Sequence, residues 1–164
     1  MTMQAILGYL RILAFFALLW GGYWVWNNVG CRRVEGAEMQ PAVKKDTSPF
    51  ITSGVRASDL KRDDIVFYTI LQGTKTKTVV GRVIGEPGDR VRIEKGDVLI
   101  NGTKIDSNYV AQDQRLPTDA LAEMLVPRDH VFILSDGRKM GLNSRIDSRT
   151  LGPIGQWAIA GKIK

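Results

Sequence analysis

The chain opens with an apolar run and then changes period. Ala5 to Trp26, "AILGYLRILAFFALLWGGYWVW", is interrupted by one charge, Arg11. At about 1.5 Å rise per residue this run covers roughly 33 Å as a helix, enough for a hydrocarbon core of about 30 Å. Tyr23, Trp24 and Trp26 gather at one end, where amphipathic rings favour the membrane interface, and Arg11 is near enough to the start to snorkel to the headgroups. A single membrane-spanning helix over residues 1–28 is therefore expected, with the bilayer as its first partner. A cleaved signal peptide would need a shorter apolar core and a small-x-small site, which is missing here. The run "NVGC" has Asn28 where a lipoprotein box wants an apolar residue, so lipidation at Cys31 is not the favoured reading.

From residue 29 to 164 the pattern is that of strands. "DIVFYTI" (Asp64–Ile70) and "KTVVGRVIG" (Lys77–Gly85) are β-branched and aromatic runs. "DRVRIEKGDVLINGTKI" alternates: Val91 and Ile93, a turn at Lys95-Gly96, Val98 and Ile100, then Asn101-Gly102, a dipeptide suited to the positive φ of a two-residue hairpin. "HVFILSD" (His130–Asp136) and "IGQWAIAGKI" (Ile154–Ile163) add later strands. "TDALAEML" (Thr118–Leu125) predicts the one helix of this region, capped by Thr118, with Leu121, Met124 and Leu125 on one face. Many short strands with Gly and Pro turns predict an all-β domain of coiled or closed antiparallel sheet.

Composition removes several functions. The net charge of +6 is spread among interleaved acids, and no basic run exceeds two residues, so no nucleic-acid surface is expected. One cysteine permits neither an internal disulfide nor a zinc cluster. One histidine, His130, sits beside an apolar run and reads as a strand-edge residue. No metal and no cofactor is expected. Arg32, Arg33, Lys44 and Lys45 follow the apolar run, a bias that by itself would keep the second part of the chain in the cytoplasm.

Four stretches resemble, in order, the boxes of type I signal peptidases, the membrane-bound Ser-Lys proteases that remove secretory signal peptides. "VEGAEMQPAV" (Val34–Val43) is similar to the nucleophile box V-x-G-x-S-M-x-P-T-L, and "LKRDDIVFY" to the strand motif R-G-D-I-V. "GRVIGEPGDRVRI" is similar to K-R-V-I-G-x-P-G-D, and "VFILSDGR…SRIDSRTLGPI" to G-D-N-R…S-x-D-S-R-x-x-G. The resemblance implies a coiled antiparallel β domain tethered by the N-terminal helix to the outer face of the bacterial cytoplasmic membrane. It outweighs the charge bias, which involves few residues.

The same alignment puts Glu38 at the nucleophile and Gly81 at the lysine base. No serine or threonine lies between Val34 and Asp46 to take over. Lys77 shares the strand face of Gly81, but four strand residues are roughly 13 Å, against the 2.6–3.2 Å or so a general base needs; Lys75 is further still. Pairing Glu38 with Asp89 or Asp136 as an acid dyad or metal site finds no support in the spacing. The last box has Ser135 for Gly and Gly137 for Asn, with "KMGLN" as an insertion that leaves Ser144 one place out of step with the serine that would orient the lysine. Asp147 and Arg149 keep the family's Asp-Arg pair.

Other matched positions admit two roles. Met39 and Pro41 border a peptide groove or simply pack a core and a turn, Gly85, Pro87, Gly88 and Asp89 read mainly as a tight turn between strands, and Gly36 and Arg82 are further groove and motif positions that the resemblance implies. Trp20, Trp24 and Trp26 form an interfacial belt or meet a partner helix, the belt being favoured. Asn101 formally begins an N-G-T glycosylation acceptor but reads as the hairpin turn. The expectation is a catalytically inactive signal-peptidase-like membrane protein that binds an extended peptide or protein partner by strand addition. Inactive family members that assist surface-fibre assembly are the nearest analogy. The alternatives are a structural subunit of a membrane complex, or an active peptidase with a non-standard dyad.

Overall fold

The computed structural model describes residues 3–105, 120–138 and 146–163. Thr118 and Ser144 lie outside them. The first element, α1, is a helix over Met3–Asn28, and its segment Gly8–Val25 is long and apolar enough to cross a membrane, with none of it buried against the rest of the chain. Strands follow at β1 (Val29–Cys31), β2 (Phe50–Thr52), β3 (Ile65–Gln72), β4 (Lys75–Gly85), β5 (Arg90–Glu94), β6 (Asp97–Ile100), β7 (Thr103–Lys104), β8 (Leu121–Leu125), β9 (His130–Leu134), β10 (Ile154–Gly155) and β11 (Ile159–Ile163), with a one-turn helix, α2, at Ser148–Leu151.

The strands form two antiparallel sheets, ordered β1-β2-β11-β3-β4-β9-β10 and β7-β6-β5-β8. β3 and β4 are the spine. β3 pairs over its whole length with Lys75–Arg82 of β4, and period-two alternation sends Val66, Tyr68, Ile70, Val79 and Val83 to a core shared with Ile133 and Ile159. The other face divides in two. Phe67 and Val80 pack with Val34, Met39, Val43 and Ile51. Ile84, Phe132 and Leu134 pack against Val91, Ile93, Val98 and Ile100 of the second sheet.

Both predicted hairpin turns are present: Lys95 and Gly96 have φ of 50° and 83°, Asn101 and Gly102 of 52° and 81°. Asn101 also accepts from Arg90 N at 2.9 Å through its side chain, which fixes the turn. The turn Glu86–Asp89 carries the chain from one sheet to the other. There Asp89 accepts from Glu86 N (2.9 Å), Arg62 Nη2 (3.1 Å) and Asn101 Nδ2 (2.9 Å), while Gly88 takes a φ of 92° that a side chain would strain. Gly85 lets the sheets close, because a Cβ there would come within 2.7 Å of Val91.

One expected element is wrong. Leu121–Leu125 is strand β8, not the end of a helix. Met124 pairs with Val91 and Leu121 with Ile93, so two residues of β8, Ala122 and Glu123, oppose one of β5, Arg92, across a bulge. That extra residue puts two side chains spaced i, i+3 on one face, which imitates a helical period. A strand here also covers the otherwise open edge of β5, which a helix would leave unpaired. The run Ile154–Ile163 is likewise two strands, separated by a 3₁₀ turn at Gln156–Ala158.

Candidate functional site

The first matched box, Val34–Val43, is a turn-rich segment rather than a strand. Its apolar residues anchor it: Val34, Met39 and Val43 are buried, and Met39, 1% exposed, is a core side chain and not a groove lip. Pro41 is exposed and follows a cis peptide bond. Between these anchors stands Glu38, 9% exposed, whose backbone oxygen accepts from Gly137 N at 2.8 Å. That bond ties the first box to the last. The Glu38 carboxylate folds back onto Gly36, filling the space a Cβ at Gly36 would take. Gly36 thus leaves room for this carboxylate.

Gly81 lies on β4 one residue before the β9 ladder, which begins at Arg82–Leu134. The position is filled rather than vacant. A Cβ at Gly81 would collide with Ile133 Cγ2 and come within 3.1 Å of Tyr68 Cε1. The Tyr68 ring leans across from β3, and its hydroxyl donates to Ile146 O at 2.6 Å. Tyr68 is fully buried. Burial, with the Asp147 and Glu38 carboxylates adding to it, pushes the phenol far above its ordinary range, so the hydroxyl stays protonated and offers neither a base nor a nucleophile.

Two ion pairs frame this position. Arg82 and Asp136 form a buried two-pronged pair, Nε to Oδ1 at 2.9 Å and Nη2 to Oδ2 at 2.6 Å, and Arg82 Nη1 also donates to Asp63 O at 3.1 Å. Asp147, wholly buried, receives Arg149 Nη2 at 2.7 Å, caps α2 through Arg149 N at 3.1 Å and accepts from Ser135 N at 3.2 Å. Its neighbour Ser148 accepts from Ile133 N at 2.8 Å through its hydroxyl. Asp136 and Asp147 are thus spent on the scaffold. Among the described residues no group of three or more acids, histidines or cysteines is placed to hold a metal ion.

The structure therefore brings Glu38, Gly81, Asp136, Asp147 and Arg149 around the end of β9, where Leu134 meets Arg82 inside β4, while Gly85, Gly88 and Asp89 serve the turn between the sheets. Tyr68 was missed in the sequence, and Gly137 was noted only as a departure from the last box, not as the partner of Glu38. Tyr68 was findable: in "DIVFYTI" it alternates with Val66, the cross-strand partner of Gly81. Tyr68→Phe is expected to cost about 1 kcal/mol at neutral pH, the net worth of one buried hydrogen bond. The sign with pH follows from the raised phenol: above about pH 10 the unfolded state loses a proton that the folded state keeps, so stability falls as pH rises. This slope, about 1.4 kcal/mol per pH unit for one group, is expected in wild-type unfolding curves and absent from the Tyr68 contribution in Tyr68→Phe.

One further feature completes the site. β9 pairs with β4 only over Arg82–Gly85, so the edge of β4 from Lys75 to Val80 has no strand partner among the described residues. It leads directly to Gly81 and Glu38.

A two-sheet β domain behind an apolar helix, with boxes one and four meeting beside an open strand edge, has the architecture of a membrane-tethered signal-peptidase-like domain. The family model for signal peptidase, peptidase S26, matches residues 6–164. A signal peptidase I from Bacillus amyloliquefaciens is 33% identical over 139 residues, covering 80% of this chain and 71% of that protein. A probable signal peptidase I-2 from Synechocystis is 29% identical over 136 residues, covering 80% of this chain and 59% of its own length. The fold is similar to the crystal structure of a signal peptidase I from Enterococcus faecalis, with a TM-score of 0.52 at 23% identity over 64% of this chain and 97% of that one. The chain belongs to the signal peptidase family, peptidase S26.

Proposed function

We propose that this chain is a catalytically inactive family member, held by α1 in the bacterial cytoplasmic membrane, which binds an extended peptide or a partner's membrane-proximal segment outside the cytoplasm. The observation that carries the reading is the joint state of the two dyad positions. Glu38 supplies a carboxylate where a hydroxyl would attack, and Gly81 supplies no side chain where a base would stand. The surrounding atoms have closed over Gly81: Ile133 and Tyr68 occupy the space a lysine stem would need. An S26 dyad needs an activated hydroxyl and a neutral amine in contact, and Lys77, the nearest lysine on the strand, is four residues away.

Binding draws on a different feature. The Lys75–Val80 edge offers backbone donors and acceptors to an added strand, which supplies affinity without chemistry. Incorporating a photo-crosslinker at Thr78 of the full chain tests this. A signal-peptide segment is expected to crosslink saturably and to be recovered intact, while the same probe at Thr103 on the second sheet gives background. Equal labelling at the two positions would exclude the β4 edge as the binding element.

A further inference from the structure

Glu38 is left without a counter-charge by everything around it. The residue is nine-tenths buried, yet among the described residues its carboxylate makes no hydrogen bond and no ion pair. The groups of this region that could meet it are committed elsewhere. Arg82 is held by both oxygens of Asp136, and Arg149 by Asp147. Arg138 Nε donates to Ser135 O at 2.8 Å. The Tyr68 hydroxyl, near enough for the Glu38 carboxylate to help push the phenol up, donates to Ile146 O. Two glycines add no donor either. The carboxylate takes the space of a side chain at Gly36, and a side chain at Gly137 would come within 3.2 Å of Glu38 O.

An unpaired acid on an open surface is solvated and calls for no partner. Glu38 keeps only 9% of its surface open, so its charge is poorly compensated until a cation reaches it. Its place in the fold says from which side one can come. β9 ends at Leu134, opposite Arg82, and three residues later Gly137 N donates to Glu38 O. Met39 meanwhile shares an apolar cluster with Val80. Glu38 is thus fixed where the edge of β4 passes from its free stretch, residues 75–80, to the stretch covered by β9. A strand added to the free stretch lies in line with β9, and its inner end arrives beside Glu38. Lys75 and Lys77 stand toward the outer end, so a peptide with its cation at the inner end also avoids like charges.

We propose that Glu38 is a cation-recognising subsite: a peptide paired with the β4 edge sets a lysine or arginine side chain, or its own N-terminal ammonium, on the Glu38 carboxylate. This rests on the reading that the edge binds an extended peptide, and it adds which peptides that edge prefers. Hydrogen bonds between ionised partners are roughly twice as strong as neutral ones, and breaking such a pair in a desolvated site speeds dissociation. A neutral amide could fill a lone pair of the carboxylate but would leave its charge unmatched, which is what selects the cation. The residue at the nucleophile position thereby selects a peptide instead of attacking it.

Short peptides of valine, threonine and serine with a neutral coumarin at the C-terminus supply the probe. One N-acetylated set carries a single lysine moved through every position. A reference peptide is acetylated and has methionine in place of lysine, and a further one has methionine and a free N-terminus. Fluorescence anisotropy with the detergent-solubilised full chain gives each Kd. At least one cationic peptide is expected to bind the wild type roughly tenfold more tightly than the reference. Whether an internal lysine or the free amine wins identifies the source of the cation. Glu38→Gln, which keeps the shape of the side chain, should abolish the preference with little change for the reference peptide. Glu94→Gln, on the second sheet, should leave the preference intact. Equal affinity of the wild type for all cationic and neutral peptides overturns the subsite and leaves the strand edge standing, a comparison that does not depend on how the variant folds. A preference that survives in folded Glu38→Gln also overturns it. Failure of every peptide to bind overturns the edge reading and this inference with it.

Discussion

Gly81→Lys is expected to destabilise the β domain by about 3 kcal/mol, the upper part of the range for forcing a larger side chain into a packed core. The clash begins at the first carbon, since a Cβ at residue 81 already overlaps Ile133 and crowds Tyr68. The rest of the lysine then has to thread between a buried tyrosine ring and the backbone oxygen of Leu134, which lies 3.4 Å from the same Cβ position. Denaturant unfolding of the detergent-solubilised chain measures the loss. Ile133→Ala alone should also cost about 2–5 kcal/mol through its cavity, yet the two changes together should cost less than their sum because each relieves the other. A wild-type midpoint for Gly81→Lys would mean that the base position is still open. For the same reason, Glu38→Ser plus Gly81→Lys is expected to give no turnover until Ile133 is cut back.

Asp136→Ala is expected to have the largest effect on folding. The carboxylate is 1% exposed at its side chain and holds both prongs of Arg82, itself 9% exposed. Removing it leaves a guanidinium buried and short of charge compensation, a change that costs about 3–5 kcal/mol. Replacing both members with apolar residues of similar volume should recover most of that loss, since a buried pair contributes little net stability over well-packed apolar groups. Arg82 Nη1 would then also leave Asp63 O unpaired, so recovery stays partial. A loss below about 1 kcal/mol for Asp136→Ala, in the range of exposed pairs, would show that Arg82 finds other compensation and that the pair does not hold the seam between β4 and β9.

The sequence was most legible where one residue controls one local geometry. The dipeptides Lys95-Gly96 and Asn101-Gly102 carry positive φ at both positions, and the runs that became β3, β4, β5, β6 and β9 alternate as strands must. It misled at Leu121–Leu125, because a bulge gives a strand the spacing of a helix, and a bulge is specified by the partner strand rather than by the segment itself. The four boxes align Glu38 and Gly81 with the dyad positions, since they preserve the turns and ion pairs that build the fold. What fills the space beside Gly81 was not legible. Motif matching shows that Gly81 lacks a side chain; it does not show that Tyr68 reaches across from the next strand to cover the gap. Such compensation is made between strands, and only the register of Val66 with Gly81 puts the two in contact. Met39 and Asp147 illustrate the other limit. Both fall in matched boxes, and both are held by burial, one in the apolar core and one in a hydrogen-bond network.

The central claim is that the signal peptidase scaffold has been kept while its reaction has been lost. The most direct measurement is a cleavage assay of the full-length wild-type chain, reconstituted in vesicles, with a fluorogenic signal-peptide substrate and with Glu38→Ala as its partner. The account predicts that both proteins turn over substrate at the rate of empty vesicles. Site-specific cleavage by the wild type that disappears in Glu38→Ala would contradict it and make Glu38 part of a working dyad.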